Sequence, residues 1–312
     1  MSNNKKILML ILALSSFLYA TTSIAKITPS DVYAKLDLAD QHLDSMLDEK
    51  GLKMSEQLYI EKKLKPMHVY QMIMACTDML RKLQIKEGLR PFPIMAVAPM
   101  KYSPADVLLL VEILEQQIKR VTNIQQLEPD SSLLTFFQKT PTDVFNKSMD
   151  VFIKLRLILG KKNISPNVAY AQMSRAVSDA EYILINIDKS SRYQINAPQS
   201  QSGLNPTDVF KISLKVRRTL NKVRKFYQMP STSVPAFDGK KKSPQDVYYQ
   251  TQIIIAELNL IKLASFTTNI TPIAIKVTGK KPSDVHQQAN YINYLMAQVD
   301  TLTNIVQSNS DK

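Results

Sequence analysis

Four side chains in one stretch of this chain could bind a soft metal. His68, Met72, Cys76 and Met79 are spaced by 4, 4 and 3 residues, which sets an imidazole, two thioethers and a thiol along one side of a helix. Soft sulfur combined with imidazole suits Cu(I). The same stretch also reads as ordinary core, because Val69, Met72, Ile73, Cys76, Leu80 and Leu83 trace an apolar stripe. Methionine fills irregular interiors, and a free cysteine behaves as a small buried hydrophobe. Both readings stand at this point, metal ligand set or core.

A second constellation is electrostatic. Lys211, Lys215, Arg218, Lys222 and Lys225 recur at 4, 3, 4 and 3, a helical period, opposite an inner stripe of Ile212, Val216, Leu220, Val223 and Tyr227. Such a face suits an anionic partner or headgroups, and Arg217, Arg224 and Lys240 to Lys242 would extend it. Asp37, Asp40, Asp44 and Asp48 form a face of opposite sign in the first repeat, so the two stripes could instead neutralise each other.

Catalytic signatures are missing. The chain has no Gly-x-Ser-x-Gly, no His-Glu-x-x-His, no glycine-rich phosphate loop and no paired-cysteine motif. Its three histidines, His42, His68 and His286, fall in different repeats, and it has only six glycines. We therefore expect no enzyme, no catalytic residue and no cofactor.

The elements that must position these side chains are written in one recurring phrase, a proline two residues ahead of an acid, then valine and usually an aromatic. Its prolines stand at 29, 66, 104, 141, 166, 206, 244 and 282, so the spacing is 37 to 40 residues except for one interval of 25 in the middle. Repetition at a fixed period decides architecture before local propensity does. Each copy encodes a helix N-terminus. Ser, Thr or Asn caps the orphan N–H groups, proline suits the first helical position, and the acid sits in the first turn near the positive end of the macrodipole. His68 and Val168 replace the acid in two copies. Tyr33, Tyr70, Tyr170 and Tyr248 follow as packing residues over the first turn, or as the lining of a groove.

The predicted fold is all-α: an eight-fold helical repeat, each with one long helix and a long extended linker, grouped as two pseudo-equivalent four-helix units. The predicted boundaries are a signal peptide at 1–25, repeats one to four at 26–162 and repeats five to eight at 163–312. Gly160 should end the fourth helix, and the short link after it favours an antiparallel hairpin with the fifth. Elsewhere a linker of ~15 residues spans ~50 Å when extended, more than the ~30 Å of a 20-residue helix, so neighbouring helices could run parallel. The third and seventh helices are apolar on most sides, which predicts burial all round. Ile273 to Val277 could be a short strand.

Lys5 and Lys6, the apolar run Ile7 to Ala20 and the small-x-small site ending at Ala25 read as a secretory signal, which predicts a periplasmic or secreted protein. The net charge is +13, and removing Lys5 and Lys6 leaves +11. The single cysteine, Cys76, cannot form an internal disulfide. The expected function is a non-enzymatic interaction or scaffold protein that binds a protein or an anionic envelope component, with no nucleic acid and no membrane span after cleavage. The alternative is a small-ligand or copper-binding protein with a pocket between helices.

Overall fold

The computed structural model describes residues 26–54, 62–95, 98–122, 136–161, 163–189 and 196–310, with side chains to residue 305. The predicted signal peptide lies outside them. Eight helices are present among the described residues, and each begins at a repeat proline: α1 Pro29–Glu49, α2 Pro66–Lys86, α3 Pro104–Thr122, α4 Pro141–Ile158, α5 Pro166–Ile187, α6 Pro206–Phe226, α7 Pro244–Ala264 and α8 Pro282–Ser310. No strand occurs among the described residues. Ile273 to Val277 is extended but lacks a partner strand, so the predicted strand is corrected.

Every position of the phrase has a mechanical role. The acid at the third helical position accepts the N-cap backbone N–H at 2.7 Å in Thr28–Asp31, Ser103–Asp106, Thr140–Asp143, Ser243–Asp246 and Lys281–Asp284. In α2, Nδ1 of His68 takes over that task and accepts from Lys65 N at 2.9 Å. The residue directly after the proline serves a neighbouring repeat. Hydroxyls of Ser30, Thr142 and Thr207 each accept, at 3.0 Å, the backbone N–H that lies two residues before another repeat's proline (Lys139, Leu64 and Lys242). Asn167 Oδ1 does the same for Lys280 at 2.7 Å.

The aromatic completes the link. The ammonium of Lys139 lies 4.4 Å from the Tyr33 ring centre, that of Lys280 4.3 Å from Tyr170 and that of Lys242 5.1 Å from Phe210. In α2 and α3 a stacked pair replaces the cation, with the Tyr70 and Tyr102 ring centres 3.9 Å apart. These aromatics seat the linker that leads into another helix of the same circuit, and each cation–ring contact contributes about 0.5–1 kcal/mol at an exposed site. Thr207→Val should therefore remove the acceptor for Lys242 N and lower stability by about 1–2 kcal/mol in urea denaturation. An unchanged midpoint would show that the neighbour bond carries no stability.

Helix packing follows two closed circuits. α1 and α2 each pack against both α3 and α4, while α5 and α6 each pack against both α7 and α8; α2 and α7 join the circuits. Helices consecutive in sequence meet only as α2·α3 and α6·α7. Pro29, Val32, Pro66, Val69, Pro104, Val107, Pro141 and Val144 surround one dimple, so α1 to α4 start at the same end and run parallel. The corresponding prolines of α5 to α8, with Ala169, Val209, Val247 and Val285, do so at a second dimple. Long linkers make this possible by carrying the chain back before each new helix. Parallel macrodipoles repel, and the acids and caps gathered at the shared N-terminal ends offset that repulsion.

The two circuits run in opposite directions. Along α2, His68 faces Glu257 and Gln71 donates to Gln252 at 2.8 Å, while Tyr248, at the start of α7, stacks on Phe152 of α4 at 4.9 Å. α5 thus runs opposite to α4, but the two do not pack side by side as a hairpin. α7 is the central helix. Tyr248, Tyr249, Ile253 and Ala256 join the core of α1 to α4, whereas Ile254, Ile255, Leu258 and Ile261 join the core of α5 to α8. Burial all round is correct for α7 but not for α3, where Leu109 is 61% exposed because no second layer covers it.

Helix ends repeat as well as helix starts. Gly51 and Gly88, both at positive φ, stand 22 residues after their prolines, and the following residue's N–H returns to the last turn. Gln228 and Phe266 hold the same place with φ of 51° and 56°. Gly160 closes α4 in the same way, with Lys161 N bonded to Arg156 O at 2.8 Å.

Candidate functional site

α6 presents two kinds of cation. Lys211, Lys215, Arg218, Lys222 and Lys225 are all exposed. They lie along ~21 Å of helix at 1.5 Å per residue. Among the described residues no carboxylate stands within ion-pair distance of any of the five; Lys211 lies 4.9 Å from the Phe237 ring centre. Arg217 and Arg224 were expected to extend this face, but both are buried and turned towards α7 and α2. Lys242 is also buried, paired with Asp238 at 2.8 Å. The basic surface is narrower than the sequence suggested.

The acidic face of α1 is occupied from within its own circuit. Lys147 of α4 reaches Asp37 at 2.8 Å and Asp40 at 3.0 Å, and Lys154 reaches Asp40 and Asp44, both at 2.7 Å. Proximity in the bundle decided this pairing: α1 packs on α4 and not on α6. The cations of α6 are therefore left facing solvent.

Where the two circuits meet, charge is buried. Glu257 of α7 is fully buried, with Arg217 Nε and His68 Nε2 each 3.6 Å from Oε1 and the Thr232 hydroxyl donating to it at 2.7 Å. Arg217 also donates to Gln250 at 3.0 Å and to the Ser233 carbonyl at 2.5 Å. Arg224 reaches the Pro230 carbonyl at 3.4 Å, next to Met67 of α2. Burial pushes the Glu257 carboxyl up. Arg217, then His68 and Arg224, outweigh this and bring its pKa down to about 2. Burial pulls His68 below its ordinary range despite Glu257. Its Nδ1 must also stay unprotonated to accept Lys65 N–H, which fixes the neutral tautomer with hydrogen on Nε2. A second buried pair, Lys262 with Asp179 at 2.6 Å, ties α7 to α5 and draws in Thr271.

His68, Met72, Cys76 and Met79 are all buried, as a core stripe requires. The imidazole of His68 is held between Lys65 and Glu257, whereas the Cys76 thiol donates to the Ser148 carbonyl of α4 at 3.3 Å. Burial raises the Cys76 pKa far above its ordinary value, which keeps the sulfur a thiol.

Sequence periodicity found α6 as amphipathic but counted every basic residue as surface. The available signal was position. Arg217 and Arg224 are seven residues apart, next to Val216 and Val223 on the inner stripe, and so turn inward. Glu257 lies in an otherwise apolar run and had no sequence-local partner to mark it. No protein-family model, no curated protein and no solved structure matches this chain.

Proposed function

We propose that the chain is an exported, non-enzymatic helical-repeat protein, built from a duplicated four-helix unit, which binds an anionic macromolecule or envelope surface through the outer face of α6. The single observation that carries this reading is the set of five exposed α6 cations with no described carboxylate beside them, while three of the four acids of the α1 stripe, Asp37, Asp40 and Asp44, are already paired with Lys147 and Lys154. Cations fixed on a rigid helix raise the local concentration of an anionic partner and accelerate encounter, an effect that weakens as salt rises. A scaffold role suits the buried ionisable groups, because Glu257, Arg217, Asp179 and Lys262 are engaged with one another. Among the described residues, no helix is long and apolar enough to cross a membrane.

The test is Lys215→Glu/Arg218→Glu/Lys222→Glu, assayed on anionic phospholipid vesicles and on lipopolysaccharide at low and high salt. Wild-type binding should fall steeply with salt, and the variant should lose at least ten-fold in affinity at low salt with its far-UV helical signal intact. Equal binding by both proteins would remove α6 as the interaction face.

A further inference from the structure

Among the described residues, the linker after α7 exposes four large apolar side chains within ten positions. Phe266 is 88% exposed, Ile270 54%, Ile273 57% and Ile275 74%. A grouping this dense marks an interaction site more often than single exposed residues do. From Ile273 to Val277 alternate side chains (Ile273, Ile275, Val277) share one wall, the period of an extended chain, before Gly279 turns it at a φ of 72°, and among the described residues none forms a hydrogen bond with the backbone of 273–279. The next bond on the chain is Lys280 N to Asn167. Ile-Ala-Ile-Lys-Val is rich in strand-forming residues. An extended segment with free N–H and C=O groups is a template for strand addition.

Beneath this segment the linker stands away from α5 and leaves a cleft of about 230 Å³ between Ala171, Ser174, Arg175 and Ser178 on the helix and a wall of Pro272, Ile273, Ile275 and Val277. Small residues at 171, 174 and 178 let another backbone approach the helix closely. Charge at this place is predominantly positive. Arg175 is fixed by bonds to the Pro272 carbonyl and Gln172. Lys161 sits close enough to Lys276 for their repulsion to add to burial and to Arg156 in drawing Lys161 down. Of the nearby acids, Asp179 is held by Lys262 and Thr271, and Asp78 acts on Arg175 from α2.

We propose that residues 273–279 and the α5 cleft form a second binding site, which takes an extended segment of another protein with alternating apolar and acidic residues by main-chain pairing. Apolar side chains of the guest cover Ile273 and Ile275, while its carboxylates meet Lys276 and Lys161 at the rim. The site is separate from the basic face of α6, because α5 and α6 do not touch and lie across the circuit from each other.

The probe is a fluorescein-labelled decapeptide of alternating valine and glutamate, compared by anisotropy with a valine–lysine version and with a valine–glutamate version N-methylated at alternate amides. The full chain should bind the first peptide at least ten-fold more tightly than either control. Ile275→Asp should abolish at least ten-fold of that affinity without lowering the melting temperature, since the side chain is exposed. The Lys215/Arg218/Lys222 reversal should bind the peptide undiminished. The proposal fails if no saturable binding occurs, if the lysine or N-methylated peptide binds equally, or if Ile275→Asp has no effect. It fails equally if the α6 variant loses the peptide. Ultracentrifugation showing a dimer of this chain that Ile275→Asp dissolves would assign the surface to a second copy instead.

Discussion

Glu257→Ala is expected to destabilise the protein by about 3–5 kcal/mol, since it leaves the buried guanidiniums of Arg217 and Arg224 without their carboxylate. The cost comes mainly from the stranded charge, which must either be hydrated by opening the α2–α7 junction or remain buried unpaired. Breaking the charge balance should therefore hurt more than removing it. The triple variant Glu257→Leu/Arg217→Met/Arg224→Met should lose less stability than Glu257→Ala alone, because an apolar replacement of similar volume has no charge to strand. Urea denaturation of the two variants decides the matter. A loss below about 1 kcal/mol for Glu257→Ala would mean that water reaches the arginines and the junction is not dry. Because the cluster draws residues from α2, α6 and α7, the variant should also loosen the two circuits before either unfolds, which hydrogen exchange in α2 would report.

The architecture was legible because its information is local. A proline at the first helical position, a cap before it and an acid at the third fix where a helix starts whatever it later packs against, and all eight starts read in this way are helix starts in the structure. Linker length made parallel neighbours available, but only the converging prolines show which geometry was adopted. The sequence could not rank α3 and α7, which look alike in composition. Their difference depends on which helix is covered by a second layer, and that is decided by the docking of α7 on α2. Residue roles followed the same divide. His68 as a substitute cap acceptor was readable from its place in the phrase. Its second contact, Glu257, lies 189 positions away, and no pattern of local spacing links them. The roles of Ser30, Thr142, Thr207 and Asn167, directly after their prolines, are hidden for the opposite reason: each acts on another repeat's backbone.

Acid should weaken this fold in two steps, one from the histidines and one from the carboxylates, and the α2–α7 junction contributes to both. His68 has its pKa lowered in the folded state, so below about pH 6.5 the unfolded chain binds a proton that the folded chain refuses. Stability must then fall as pH falls, by about 1.4 kcal/mol per pH unit for each such group, until the folded imidazole titrates. His42 and His286 are also drawn down by burial and act in the same window. Glu257 acts in the second step, beside Asp31, Asp106 and Asp143, which their cap hydrogen bonds hold low, and Glu115, which its lysine partners hold low. The folded pKa of Glu257, about 2, lies below the ordinary 4.5, so its stabilising contribution is complete above that value and is lost as pH drops from there towards 2. That contribution is on the order of 3 kcal/mol. Protonating His68 does more than add charge beside Arg217 and Arg224. It turns Nδ1 from acceptor to donor and breaks the Lys65 bond that starts α2. His68→Asn supplies an amide oxygen for that bond and cannot titrate, so it should reduce the stability loss between pH 6.5 and 5 while leaving the loss below pH 4.5 in place. Urea midpoints measured across this range for both proteins provide the check. An identical slope in the upper window would show that His68 takes up its proton as easily in the folded chain as in the unfolded one, and the α2–α7 junction would then be open to water.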